Sequence, residues 1–232
     1  MKKLVLLSTL AAFLIGLSAF GQGYFKFTAS GKSVWDGDAL VPGGTAKLGN
    51  ASSNSVAFLW GPTTATPLVE AILNGVPTNA TSSGVAGGNY SVSAAWTAIL
   101  TDPLFTLALN NSGGGLATTN AAANGGWSYA PGGTQAFQVL NSSGGVNYSL
   151  FLIAWNNDNG LYLTPSAAQS HNMYVGWSQV FTYGTVSSGT DPNLQTMVFT
   201  PFGIAGTVPE PSTLALAGLG GLSLLLFRRK KS

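Results

Sequence analysis

Short apolar runs separated by Gly, Ser, Thr, Asn and Pro fill the chain between residues 22 and 207. This spacing is typical of β-strands joined by turns. Residues 90–96 alternate with a period of two, which predicts a strand with Tyr90, Val92 and Trp96 on one face. Residues 149–155 are apolar on both faces, as in a central strand covered by two layers. The other predicted strands are 24–28, 55–60, 104–109, 136–140, 173–183 and 195–200.

These patterns predict an all-β fold, an antiparallel β-sandwich or jelly roll of roughly nine strands. Residues 67–73 fit either a short helix or a strand, and we favour the strand. Residues 110–135 are rich in glycine pairs and are expected to be the least structured part. No long segment of the body has a 3.6-residue period, which disfavours an α/β fold.

The first 21 residues have the three parts of a secretory signal peptide. Lys2 and Lys3 are followed by an apolar stretch at 4–17, and Ala19 and Gly21 stand at the small-residue positions of a cut after Gly21. The alternative is a membrane anchor that is never removed. The short apolar stretch favours cleavage.

A second apolar stretch lies near the other end, where residues 212–227 contain no charge. As a helix it would span about 24 Å, somewhat less than a ~30 Å hydrocarbon core. Snorkelling side chains and bilayer thinning close part of that gap. A buried core helix is the alternative, but the stretch lacks a polar face. We therefore expect a membrane span.

The basic cluster Arg228, Arg229, Lys230 and Lys231 follows this span and should stay cytoplasmic. Val208, Pro209, Glu210 and Pro211 precede it. The two prolines fix φ and keep a helix from running into this segment, which leaves an extended strip with Glu210 as its charge.

Together, the Pro-Glu-Pro core, the apolar helix and the basic tail resemble the PEP-CTERM sorting signal. The resemblance covers about 25 residues and meets all three parts of the family pattern. It implies export in a Gram-negative bacterium that makes extracellular polysaccharide. It also implies that a membrane-embedded enzyme, exosortase, cuts near Pro209–Pro211, after which the protein is released or transferred to the cell surface. The predicted organisation is a signal peptide at 1–21, a secreted β-rich domain at 22–207 and a sorting signal at 208–232.

The predicted body carries few charges, because it has three lysines against six acidic residues, a net charge of −3, and no arginine. Nucleic-acid binding needs several cations to displace counterions, so it is disfavoured. Adsorption to acidic lipid is disfavoured for the same reason, and the membrane is expected to hold the chain only through the tail. With no cysteine, the exported body has no disulfides.

Residues that could carry catalysis are scarce. His171 is the only histidine and lies in a polar stretch, which predicts a surface position. No Gly-x-Ser-x-Gly elbow surrounds any serine. Glycoside hydrolysis requires two carboxylates facing one bond, and the spacing of the acids selects no pair. We expect no enzymatic activity and no cofactor, with a glycoside-active enzyme as the least favoured alternative.

Two turns offer oxygen ligands of the kind that calcium prefers, one with Asp36 and one with Asp158. Neither has the full calcium-loop pattern, and ordinary Asx turns explain both. They remain weak calcium candidates, and no metal is predicted.

Exposed aromatic rings can stack on sugar rings while amides supply hydrogen bonds. Most of the six tryptophans terminate apolar runs and are expected in the core, whereas Trp35 and Trp127 lie in Gly-rich polar contexts and are expected to be exposed. Half-buried packing is the alternative for such rings.

The sequence therefore predicts a secreted, non-enzymatic protein associated with extracellular polysaccharide, with a carbohydrate-binding module for neutral glycans as the alternative. Its expected partners are the secretion translocon, exosortase and extracellular polysaccharide.

Overall fold

The computed structural model describes residues 21–29, 33–36, 54–72, 79–81, 84–86, 91–122, 125–189 and 197–204, and only the backbone at 35–36, 71–72, 79–81 and 84–86. Within these ranges the strands are β1 (Tyr24–Lys26), β2 (Thr28–Ala29), β3 (Val34–Asp36), β4 (Asn54–Pro62), β5 (Asn79–Thr81), β6 (Gly84–Ala86), β7 (Thr106–Leu107), β8 (Thr118–Asn120), β9 (Trp127–Ser128), β10 (Ala136–Gln138), β11 (Asn147–Asn156), β12 (Val175–Trp177), β13 (Phe181–Gly184) and β14 (Phe202–Ile204). The helices are α1 (Leu68–Ile72), α2 (Val92–Leu100) and α3 (Pro165–Ser170), with a 3₁₀ turn at Pro131–Gly133.

A long antiparallel pair, β4 with β11, forms the centre of the fold. The two strands pair without interruption from Tyr148 opposite Pro62 to Asn156 opposite Asn54. β7 and β8 pair with the outer side of β4, and β12 and β13 pair with the outer side of β11. The result is a six-stranded sheet whose two longest strands are in the middle.

Both faces of this sheet are covered, because successive β11 side chains point to opposite sides. Leu150 and Leu152 join one apolar cluster, whereas Phe151, Ile153 and Trp155 join the other. All five side chains are fully buried. The prediction that 149–155 form a central strand with two apolar faces is confirmed.

Aromatic residues on short strands cover the first face. β1 pairs with β10, and β2 pairs with β9. Phe25 and Phe27 of this layer pack on Phe58 of β4, with ring centroids 5.6 and 5.1 Å apart. This face therefore has sheet-on-sheet packing, as in a β-sandwich.

Helices cover the second face. On α2, Val92, Ala95, Trp96 and Ile99 are buried, at the i, i+3, i+4, i+7 spacing of an amphipathic helix. Ser91 caps the helix, and its Oγ accepts a hydrogen bond from the Ala94 N–H at 3.3 Å.

Three predicted strands are wrong within the described residues. Residues 90–96 are mostly the start of α2, because burial at helical spacing prevails over the short alternation. Residues 67–73 are mostly α1, whose first N–H, on Leu68, donates to Asp102 Oδ2 at 2.6 Å. Residues 197–200 of the predicted strand 195–200 have no strand structure, and its first two residues lie outside the described ranges.

The fold class is confirmed, since strands predominate and antiparallel sheets form the core. The strands predicted at 24–28, 55–60 and 136–140 correspond to β1 with β2, to β4 and to β10. The segment 173–183 contains two strands, β12 and β13, and 104–109 contains the short β7. Residues 110–135, expected to be least structured, contain β8, β9 and the 3₁₀ turn.

Candidate functional site

An open groove of about 670 Å³ lies over the β1–β10 pair. We call it the Tyr24 groove. Its aromatic and polar lining residues are Tyr24, Asn110, Asn111, Ser112, Thr134, Phe137 and Gln138. None of the described lining residues is charged. The groove combines the Tyr24 ring with amide and hydroxyl groups, whereas Phe137 is 4% exposed and belongs to the first apolar cluster.

Strand pairing fixes the floor of the groove. Tyr24 on β1 lies directly opposite Gln138 on β10, so the two side chains are on the same face. The half-buried Tyr24 ring packs against Gly189, where an added Cβ would overlap the ring. The lack of a side chain at Gly189 lets the backbone support the ring directly.

The turn at 110–114 forms one wall. Asn110 is buried, and its two side-chain groups are used within the fold: Oδ1 accepts from the Ser112 N–H at 3.0 Å, and Nδ2 donates to the Tyr129 hydroxyl at 3.2 Å. The Asn111 N–H donates to the Gln138 carbonyl at 2.9 Å. The wall is thus tied to the floor by backbone and side chain together.

The exposed side chain of Asn111 also reaches the floor, because its Nδ2 donates to Gln138 Oε1 at 3.3 Å. This contact uses neither Asn111 Oδ1 nor Gln138 Nε2, and within the described residues neither atom has a hydrogen-bond partner. If both side-chain amides were flipped, so that nitrogen and oxygen exchanged places, one free donor and one free acceptor would still remain. The pair therefore presents one donor and one acceptor at the groove.

Trp127 is not an exposed platform, and that prediction is wrong. Its side chain is only 4% exposed. The ring lies 5.5 Å from Phe199 and 5.7 Å from Phe27, because β9 pairs with β2 and carries the indole into the first apolar cluster. Its Gly-rich neighbours in sequence do not determine its burial.

Trp35 and Asp36 belong to β3, which pairs in parallel with β14, but their side chains lie outside the described part. Among the other tryptophans, Trp96, Trp155 and Trp177 are fully buried and Trp60 is partly buried, as predicted for core residues.

The turn containing Asp158 is held by its own side chains. Asn156 Oδ1 accepts from the Asp158 N–H at 2.8 Å, and Asn157 Oδ1 accepts from the Gly160 N–H at 3.0 Å. Two oxygens that calcium would need are therefore used as Asx-turn acceptors. The described residues contain no group of three or more His, Cys, Asp or Glu placed to hold a metal ion.

The two carboxylates near the helices are engaged in structural contacts. Asp102 accepts from three backbone N–H groups, those of Leu68, Leu104 and Phe105. Glu70 Oε1 accepts from the Val180 N–H at 3.1 Å. Burial raises the pKa of Glu70 above 4.5, and the Val180 hydrogen bond opposes that rise. Both groups tie loops to helices.

His171 is exposed at the end of α3, as predicted for a surface residue. Its ring stacks on Tyr162 with centroids 4.2 Å apart.

The two predicted processing sites flank the body. Ala19 lies outside the described residues, whereas the Gly21 carbonyl accepts from the Gly144 N–H at 2.8 Å. At the other end, β14 is buried through Ile204. Pro209 is five residues further along the chain. Pro209 and the rest of the Pro-Glu-Pro segment lie outside the described residues.

Residues 207–230 match the family model of the PEP-CTERM protein-sorting motif. The chain therefore carries this motif, which confirms the resemblance and marks an exported protein with a membrane-anchored sorting tail that an exosortase processes. No curated protein and no solved structure matches the chain.

The matched segment and the basic cluster at 228–231 lie outside the described ranges. Among the helices that are described, none has both the length and the hydropathy needed to cross a membrane.

Proposed function

We propose that the protein is a non-enzymatic component of the cell surface or extracellular matrix of a Gram-negative bacterium, associated with extracellular polysaccharide. The secretion translocon exports it with loss of residues 1–21. The β-rich body, 22–207, reaches the outside, and exosortase removes the tail. The observation that carries this proposal is the sorting motif at 207–230, joined by a short link to a body of low charge.

The low charge and the aromatic core of the body support this role. Its three lysines and six acids give few sites for ionic contacts, which suits burial in a hydrated neutral matrix. The carboxylates Glu70 and Asp102 accept hydrogen bonds from backbone N–H groups of the fold. Stability comes from aromatic packing on both faces of the central sheet, which needs no disulfide in an oxidising compartment.

Intact mass of the protein from culture medium and from the cell surface tests the proposal. We expect loss of residues 1–21 and of the tail from about Pro209 onward. Glu210→Ala should leave the tail in place and retain the protein in the inner membrane, whereas Glu70→Ala is a control outside the motif. A wild-type mass that still contains residues 214–232 would contradict processing. The protein would then be a membrane-anchored periplasmic domain.

A carbohydrate-binding module is the second candidate, and the Tyr24 groove favours it. The groove is open, its described lining carries no charge, and the half-buried Tyr24 ring lies there with several amides and hydroxyls, while Phe137 is buried. Affinity electrophoresis in gels containing neutral polysaccharides tests this candidate. Retardation of the wild-type protein supports it, and unchanged mobility across a broad set of polysaccharides contradicts it. Trp127→Ala is unsuited to this test because the ring is core.

A further inference from the structure

We propose that the Tyr24 groove is the binding site for a neutral polysaccharide chain, with the Tyr24 ring as platform and the Asn111–Gln138 amide pair as the polar contact. This inference rests on the carbohydrate-binding candidate function and assigns it to a particular site.

The size and the openness of the groove suit a segment of a chain. Its volume of about 670 Å³ falls within the ~300–1,000 Å³ typical of small-molecule sites. The groove lies on the surface between the 110–114 turn and the 3₁₀ turn at Pro131–Gly133. Positive φ at Gly132 and Gly133 bends the backbone there, and space for a Cβ remains open at both residues. A polymer can thus enter without displacing side chains at this turn.

The Tyr24 ring is preorganised as a platform. Gly189 supports it from the backbone, and Tyr24 is fixed by strand pairing with Gln138 and by its N–H, which donates to the Val186 carbonyl at 3.0 Å. Within the described residues its hydroxyl has no hydrogen-bond partner. A ring that is already ordered loses little conformational entropy on binding.

The amide pair matches the chemistry of a sugar. A vicinal diol can donate one hydroxyl hydrogen to the free oxygen of the pair and accept from its free N–H. The Asn111–Gln138 hydrogen bond keeps the free donor and the free acceptor on two adjacent amides, and Gln138 is on the same face as Tyr24. Asn110 does not take part, since its polar atoms already bind Ser112 and Tyr129.

The charge pattern favours a neutral ligand. Among the lining residues that the structure describes there is no cation to pair with a carboxylate or sulfate. Lys26 is on the same face of β1 as Tyr24 but opposite Ala136, and it is not part of the lining. Binding of an acidic polysaccharide would be expected to depend on Lys26, so substitution of this lysine distinguishes an acidic from a neutral ligand.

The test uses the full chain purified in mild detergent and affinity electrophoresis with three probes: a soluble β-glucan, a galactomannan and alginate, which is acidic. We expect retardation by at least one neutral polymer. Tyr24→Ala should weaken binding about tenfold or more, as loss of a central aromatic contact does. Asn111→Ala, at an exposed turn, should weaken binding severalfold without unfolding the protein. Tyr24→Phe should retain most binding, because the ring remains.

Two variants complete the design. Gly189→Ala should weaken binding by displacing the Tyr24 ring, although residue 189 itself does not contact the ligand. Lys26→Gln is the matched control and should bind as wild type does. Thermal unfolding of every variant shows whether a loss of binding reflects a loss of fold, and Asn111→Ala keeps the test valid if Tyr24→Ala unfolds.

Three outcomes would overturn the inference. If folded Asn111→Ala and Tyr24→Ala both bind like wild type, the glycan site lies elsewhere while the binding function stands. If only alginate binds and Lys26→Gln abolishes it, the ligand is acidic. If no polymer binds, the carbohydrate-binding candidate fails as well, whereas export and processing are decided separately by intact mass.

Discussion

Tyr183→Phe tests how the first apolar layer is held together beneath the Tyr24 groove. Tyr183 is 1% exposed, and its ring stacks on Phe25 with centroids 5.2 Å apart and an interplanar angle of 6°. Its hydroxyl accepts a hydrogen bond from the Lys26 N–H at 3.0 Å. The substitution keeps the ring and removes the hydroxyl, so its effect reports the polar contacts of that hydroxyl, including this hydrogen bond, rather than the packing.

At neutral pH the variant should lower the free energy of unfolding by about 1–2 kcal/mol, because a partly buried N–H loses its partner. Burial also raises the pKa of Tyr183 from 10.0 to about 12, against a smaller opposing effect of the Lys26 N–H. Since the folded pKa exceeds the unfolded one, unfolding releases a proton between these values, and the wild-type protein loses stability as pH rises through them. At pH 11 the loss is roughly 1.4 kcal/mol.

The phenylalanine variant lacks this titration, whereas the other tyrosines titrate in both proteins and cancel in the difference. Urea unfolding of the two proteins at pH 7, 9, 10 and 11, followed by tryptophan fluorescence and far-UV circular dichroism, measures that difference. We expect it to shrink steadily above pH 10 and nearly vanish by pH 11. A difference that stays constant from pH 7 to 11 would refute the argument that burial of Tyr183 controls its ionisation.

Three further substitutions test the carboxylate, the buried amide and the strained turn. Because burial raises the pKa of Glu70, the wild-type protein should lose stability as pH rises above about 4.5. Glu70→Gln should therefore have a higher melting temperature than the wild-type protein at pH 7. Equal melting temperatures of the two proteins both at pH 7 and at pH 4 would contradict this. Asn157 is fully buried and forms hydrogen bonds with Ser55, Asn120 and Gly160. Asn157→Ala should therefore lower the free energy of unfolding in urea by about 2–4 kcal/mol. A smaller decrease than that caused by Asn111→Ala, at an exposed asparagine, would refute the role of this network. Thr64 is exposed with φ 70°, which disfavours a β-branched residue, so Thr64→Asn should gain about 0.5–1 kcal/mol; a loss would show that the threonine makes a compensating contact.

The sequence pattern was sufficient where a strand is buried on both faces. The continuous apolar run at 149–155 identified β11, because nothing in it provides the polar face of a surface element. The same reasoning failed at 90–96, where a seven-residue window shows a period of two as well as part of a helical period. Ala95 and Ile99 decide the matter, since together with Val92 and Trp96 they complete a helical stripe that extends beyond the window. Ser91 was a helix-start signal in the sequence.

The Tyr24 groove could not have been predicted from the sequence, because its lining comes from three separate segments near residues 24, 111 and 134–138. Only the register of β1 against β10 brings Tyr24 next to Gln138. The sorting motif is the opposite case. Its three parts are contiguous in the chain, so a linear pattern identifies it, and the family match at 207–230 confirms it.

Trp127 shows why, in a chain of this composition, polar and Gly-rich neighbours in sequence do not predict that an aromatic side chain is exposed. With so few charges and so many glycines, a polar neighbourhood in sequence says little about which side chains face water. Two strand residues suffice to pair β9 with β2, and that pairing brings the indole between Phe27 and Phe199. Tyr24 is on a strand of only three residues but points to the opposite side of its sheet from Phe25, and it stays accessible. In this fold the alternation along short paired strands, and not the glycine content of the flanking loops, decides which aromatic rings can meet a ligand.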